Sequence, residues 1–221
     1  MDHAVDFKAV AAQLSKPEGE AGIKTAEHMN KSNADMTRHA VDLLDCGDND
    51  QVLEIGPGNG RFAAYVLSKG ANIAYTGVDI SETMVTTARE FNKEHVAMGR
   101  ITFQHVNGSH FPFPDRTFDK VFTVNTLYFW EDPAIQLAEI KRVLKPLGVF
   151  CLAIASKAFM EQLPFTAYGF TLYTPEDAQK LLAANGFGML STKVRQQNII
   201  GAAQQEVVRE EVFILANYMI R

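Results

Sequence analysis

The stretch Val52-Leu53-Glu54-Ile55-Gly56-Pro57-Gly58-Asn59-Gly60 constrains this chain more than any other. A short, mostly apolar strand, 52–55, runs into three glycines at alternate positions. The residues from Gly60 to Lys69 then read as a helix, closed by Gly70. Glycines at such a turn let the backbone bend tightly and approach a ligand, because no Cβ intervenes. A helix start behind the turn favours an anionic group such as a carboxylate.

The alternation continues. Strand-like runs are expected at 73–80, 101–106, 118–124 and 149–155, and two more near 189–195 and 207–217. Between them lie helical patterns. Ser81 caps one that carries Met84, Ala88 and Phe91 on a face. Asp132-Pro133 opens another with Leu137, Ile140 and Leu144, stopped by Pro146 and Gly148. Thr174-Pro175-Glu176-Asp177 opens a third, closed by Gly186. An earlier helix is expected from about Ser32 to Asp45, with Met36, Ala40, Leu43 and Leu44 inward, after a loop punctuated by Pro17, Gly19 and Gly22. Strands alternating with helices imply an α/β fold: a Rossmann-like, seven-stranded, mostly parallel sheet with helices on both faces and an antiparallel C-terminal edge strand. The domain reading is an N-terminal cap over 1–32 and a main domain over 33–221. Within that domain, the aromatic-rich stretch 156–173 breaks the rhythm as a substrate-side insertion.

In such a sheet ligands bind beyond the carboxyl ends of the strands. The spacing here is G-x-G-x-G, with Arg61 where the dinucleotide fingerprint needs its third glycine one place later. Glu54, two residues before the first glycine, would repel a pyrophosphate and suits a ligand with an ammonium group. Asp79 ends the second strand and can accept hydrogen bonds from ribose hydroxyls; the plainer alternative is a helix-capping aspartate beside Ser81.

Taken together, VLEIGPGNGRF (52–62), VDIS (78–81), the stretch 105–133 and EIKRVLKPLGVFCLAI (139–154) resemble the class I S-adenosylmethionine-dependent methyltransferase superfamily, in its order of motifs. The nearest likeness is to the small-molecule branch that includes ubiquinone and menaquinone methyltransferases. The resemblance implies S-adenosylmethionine as cofactor and S-adenosylhomocysteine as product. It sets Gly56, Gly58 and Gly60 against the methionine part, Glu54 near its amino group and Asp79 on the ribose. Ile80 and Met84 flank the adenine, with Asn107 at its amino group, Gly108 and Ser109 along its edge, and Asn125 at the methionine end. Asn107 stands where the family usually has an aspartate, and Leu147 stands where it usually has a glycine.

The implied reaction is in-line methyl transfer to a small organic acceptor. For a general base, only His110 and Tyr128 fall near the expected cofactor, while His105 is expected to face the strand environment. Phe129, Trp130 and the aromatics of 156–173 either wall an acceptor pocket or pack a lid onto the core. Met29 and Asn30 are expected to close over the site. Two other classes stay open: a non-catalytic module that only binds the cofactor, and a nicotinamide-dependent oxidoreductase, against which the glycine spacing and Glu54 count.

The formal net charge of −5 argues against a nucleic-acid partner, which needs a dense cationic face. No metal site is expected, since the two cysteines, Cys46 and Cys151, are isolated, and Cys151, within an apolar run, reads as a buried small hydrophobe. No signal-like or membrane-spanning run is legible, which points to a cytoplasmic protein.

Overall fold

The computed structural model describes residues 5–108, 110–200 and 206–218. Among them lie β1 (Gln51–Ile55), β2 (Ala74–Asp79), β3 (Ile101–His105), β4 (Phe118–Val124), β5 (Leu144–Ala155), β6 (Gly188–Ile200) and β7 (Glu206–Asn217). They form one seven-stranded sheet in the order β3-β2-β1-β4-β5-β7-β6. The first five strands run parallel, and β7 pairs antiparallel with both β5 and β6.

The expected α/β architecture is present, with one refinement: the C-terminal strand lies one place in from the edge, and β6 is the edge. Composition explains the order. Val212, Phe213, Ile214 and Ala216 of β7 are all buried and need cover on both faces, whereas β6 carries no fully buried residue and tolerates an open edge.

Side chains alternate between two cores. Leu53, Val121, Leu152 and Ile214 pack on one face with α6 (Pro133–Val143) and α8 (Pro175–Ala184). Val52, Phe122, Cys151 and Phe213 pack on the other with α2 (Gly19–Leu44), α3 (Ala63–Leu67) and α4 (Glu82–Phe91). The expected caps are all made. Ser81 Oγ accepts from Met84 N at 3.1 Å, Asp132 accepts from Ala134 N at 2.9 Å, and Thr174 and Asp177 form a capping box.

Several boundaries differ from the expectation. The N-terminal region is helical, with α1 (Phe7–Ser15) and then α2, which starts at Gly19 rather than near Ser32. Gly22 is no helix breaker: a Cβ there would lie 2.5 Å from the Pro17 carbonyl carbon, so the glycine lets the preceding loop fold onto the helix. A cap ending at residue 32 would therefore cut a continuous helix. The helix after the glycine turn is only five residues, α3, and begins three residues past Gly60. Phe91 is half exposed beneath the Arg61 guanidinium, and Val85 fills the core in its place. α6 ends at Val143 and passes straight into β5, with Leu147 in the left-handed region at φ 65°.

The topology makes the crevice. β1, β2 and β3 build outward in one direction, and β4 then returns to the other side of β1. The loops leaving β1 and β4 diverge there, beyond the strands' carboxyl ends.

Candidate functional site

A cavity of about 340 Å³ occupies that crevice. Its floor is the glycine turn. Gly56 and Gly58 take φ of 73° and 55°, which an L side chain rarely adopts. A Cβ on Gly56 would lie 2.5 Å from Thr126 Cγ2, so that glycine lets the loops after β1 and β4 approach. A Cβ on Gly58 would meet nothing within 4 Å, because it would point into open space. Gly60 has a different task. It faces away from the cavity, where a Cβ would strike the Phe103 ring at 2.6 Å, and its carbonyl accepts from Asn92 Nδ2 at 3.0 Å. The short, displaced α3 leaves the loop itself, rather than a helix end, as the feature facing the cavity.

Two buried carboxyls stand at neighbouring strand tips. Glu54 of β1 is 5% exposed and accepts a hydrogen bond from the Tyr75 hydroxyl. Burial pushes its pKa up to about 7, the Tyr75 bond opposes the rise, and nearby Asp79 adds to it. Asp79 ends β2 and accepts from Ser81 N at 2.9 Å and Gly58 N at 3.1 Å. Burial raises it to about 6 against those two bonds. Each carboxylate oxygen keeps a further lone pair. A ligand bringing positive charge here would favour ionisation of both groups.

Ile80, Asn107 and Gly108 continue the lining, and Ile80 offers a 36% exposed apolar side chain. Met84 does not reach the cavity: it is fully buried one helical turn below. Ser109 lies outside the described residues. Asn125, in the left-handed region at φ 58°, closes the β4 end. Its Oδ1 accepts from Ala155 N at 3.0 Å and lies 3.0 Å from the Tyr128 hydroxyl oxygen, whose single proton it shares with Ala155 O.

The candidate bases are not placed for proton transfer in this cavity. His110 is exposed and pairs with Glu139 at 2.9 Å, outside the lining. Tyr128 is buried, its hydroxyl donates to Ala155 O at 2.8 Å, and burial drives its pKa far up. His105 is exposed, with Nε2 3.1 Å from Ile80 O. No histidine, lysine, arginine, tyrosine or cysteine lines the cavity among the described residues. Burial also holds both thiols protonated, raising Cys46 to about 11 and Cys151 to about 12. Among the described residues no cluster of metal-binding side chains occurs, and no helix is long and apolar enough to cross a membrane.

The roof is helical. Ala26, Met29, Asn30, Asn33 and Thr37 of α2 line the cavity, with Leu14 and Pro17 at its rim. Asn30 Nδ2 donates to Asn59 Oδ1 of the glycine turn at 2.9 Å, and Gly19 N donates to Thr83 Oγ1 at 3.2 Å. Sequence reading named Met29 and Asn30 but missed Asn33, Thr37 and Asn59. The helical spacing 26-29-30-33-37 was the available signal, hidden by starting the helix too late. Phe129 and Trp130 form a further wall. Of the later aromatics, Phe165 packs on Phe170 and Phe170 on Phe129, and neither lines the cavity.

Residues 53–152 match the family model described as a methyltransferase domain. YrhH of Bacillus subtilis is 33% identical over 131 residues, 59% of this chain and 66% of that protein. The ubiquinone/menaquinone biosynthesis C-methyltransferase UbiE of Geobacter sulfurreducens is 29% identical over 175 residues, 71% of this chain and 68% of that protein. The chain spans only part of the curated relatives it matches, down to 42% of one. Among solved structures, a chain of the Haloferax volcanii complex with the Trm112 methyltransferase activator superposes with a TM-score of 0.74 at 19% identity, over 99% of this chain and all of that one.

Proposed function

We propose that this chain is a class I S-adenosylmethionine-dependent methyltransferase, as its matches to a methyltransferase domain and to methyltransferases support, and that it transfers a methyl group from S-adenosylmethionine to a small organic acceptor. One observation carries the reading. A cavity at the switch point joins a side-chain-free glycine floor to two buried carboxyls on adjacent strand tips.

The residues fit that cofactor. Gly56 and Gly58 leave room for the methionine tail, and Glu54 lies where an ammonium group would meet a carboxylate. Asp79 retains lone pairs for ribose hydroxyls. The exposed face of Ile80 suits an adenine ring, with Asn107 and Gly108 along its edge. Gly60 and Met84 act behind this surface, through packing.

Bound there, the cofactor supplies an electrophilic methyl on a sulfonium sulfur. The chain's own part is to exclude water beneath the α2 roof and to align the acceptor, an effect that can supply on the order of 7–11 kcal/mol. Among the described residues the lining's titratable side chains are the carboxyls Glu54, Asp79, Glu131 and Asp132, so the acceptor either arrives already ionised or gives its proton to a carboxylate.

Two measurements test the proposal. Calorimetry with S-adenosylhomocysteine is expected to show saturable binding. Radiolabelled S-adenosylmethionine is expected to label at least one member of a panel of phenols, quinols, carboxylates and amines. Binding without any transfer would favour a non-catalytic cofactor-binding module, and binding of a reduced nicotinamide cofactor instead would favour the oxidoreductase.

A further inference from the structure

The far end of the cavity carries a hydrogen-bond network whose donors and acceptors are fixed by chemistry. Arg209 of β7 is 3% exposed and gives two bonds to Glu211 Oε1, at 3.0 and 2.6 Å. Arg195 Nε donates to Glu211 Oε2 at 2.7 Å. Arg209 also reaches α2, donating to Ser32 O at 3.0 Å and to Asn33 Oδ1 at 2.9 Å. A guanidinium only donates, so the Asn33 atom facing it must be the amide oxygen. Ala155 N–H only donates as well, so the Asn125 atom facing it is oxygen, and the Asn125 amide nitrogen is left to donate to Asn33 Oδ1 at 3.4 Å.

Both acceptor sites of Asn33 Oδ1 are thus used. Its amide nitrogen has no hydrogen-bond partner among the described residues, and Asn33 lines the cavity. Two buried or half-buried guanidiniums against one carboxylate leave net positive charge behind it, and Arg195 Nη2 is itself buried without a partner. Bonding to a cation polarises the amide and strengthens its remaining donors.

Sheet order says which ligand meets it. The proposed cofactor occupies the tips of β3, β2 and β1, with only its methionine end reaching Asn125 after β4, whereas Asn33 is tied beyond that point to Arg209 of β7. We propose that Asn33, oriented by Arg209, is a specificity-determining donor that selects a methyl acceptor bearing an anionic oxygen, such as a phenolate, enolate or carboxylate. This rests on the cofactor reading above.

The probe is 4-nitrophenol, whose ionised form is coloured, with nitrobenzene as the uncharged control, added to protein saturated with S-adenosylhomocysteine. The wild type is expected to bind 4-nitrophenol as its phenolate, with enhanced absorbance, and to bind nitrobenzene more weakly. Asn33→Ala and Asn33→Asp should weaken phenolate binding by about tenfold and abolish the absorbance gain, with S-adenosylhomocysteine affinity unchanged. Arg209→Lys, which keeps the charge, should retain part of the gain. The proposal is overturned if the wild type shows no ionisation of the bound probe. It is equally overturned if Asn33→Ala weakens S-adenosylhomocysteine instead, which would make Asn33 a reader of the cofactor. If the wild type fails to bind S-adenosylhomocysteine at all, the cofactor reading falls first and this falls with it.

Discussion

The two ends of the cavity are built by opposite means. At the strand-tip end, the groups come from neighbours in sequence: Glu54, Gly56 and Gly58 lie within five residues, and Asp79 follows on the adjacent strand. At the roof end, the Arg209–Asn33 bond joins residues 176 apart. The first end is acidic and backed by glycine turns, and the second is cationic and backed by a helix and a hairpin. The contrast teaches that one end is fixed by local backbone geometry, while the other depends on long-range docking of α2 against β7. Substitutions at the two ends should therefore fail differently.

The largest effect is expected at Gly58. Gly58→Val forces a β-branched residue into the left-handed region and points it into the cavity. S-adenosylhomocysteine affinity should fall about a hundredfold, or ~2.7 kcal/mol, in a protein with unchanged circular dichroism. Asp79→Ala should cost about tenfold, ~1.4 kcal/mol, by calorimetry. Unchanged affinity in either folded variant would mean that the strand-tip end is not the cofactor site.

The pH dependence separates the ends further. Glu54 and Asp79 hold their protons more tightly in the folded, ligand-free chain than when unfolded, with values of about 7 and about 6. The folded state therefore binds more protons between about pH 4 and pH 7, and ligand-free stability should fall as pH rises through that window. Cofactor affinity should move the other way, rising about tenfold from about pH 6 to about pH 8 as Glu54 ionises. Melting and titration series at several pH values check both signs. Two curves that move together would break the assignment of these carboxyls.

A smaller effect is expected at the junction of the two ends. Asn30→Ala removes the 2.9 Å bond from the roof to the glycine turn. It should weaken cofactor binding by about fivefold, ~1 kcal/mol, chiefly through faster dissociation in stopped flow. The smallest lies away from both. Leu147 holds φ 65° at the opposite ends of the strands and is 78% exposed. Leu147→Gly should raise the melting temperature by about 2 °C and leave cofactor affinity untouched, which makes it the control for the rest.

Legibility followed the same division. β4 matches its expected bounds, and the caps at Ser81, Asp132 and Thr174 were readable because capping chemistry is local. The parallel sheet followed from the alternation of elements. Sequence did not separate Gly60 from Gly58, because both satisfy the turn and only the Phe103 ring, two strands away on β3, shows which one packs inward. Nor did it reveal that the cap is built from a helix continuous with the main domain: Pro17 and Gly22 resemble loop punctuation until their contact with each other is seen. His110 was near the site in sequence, yet Glu139 on α6 draws it outward. The position of β7 inside the edge depends on comparing the burial needs of two strands, which no local pattern encodes.

The most direct measurement is a crystal structure of the chain with S-adenosylhomocysteine. The account predicts ribose hydroxyls within hydrogen-bond distance of the Asp79 carboxylate, and the amino-acid tail over Gly56 and Gly58 beside Glu54. A ligand seated elsewhere, or one in this crevice whose ribose does not touch Asp79, would contradict it.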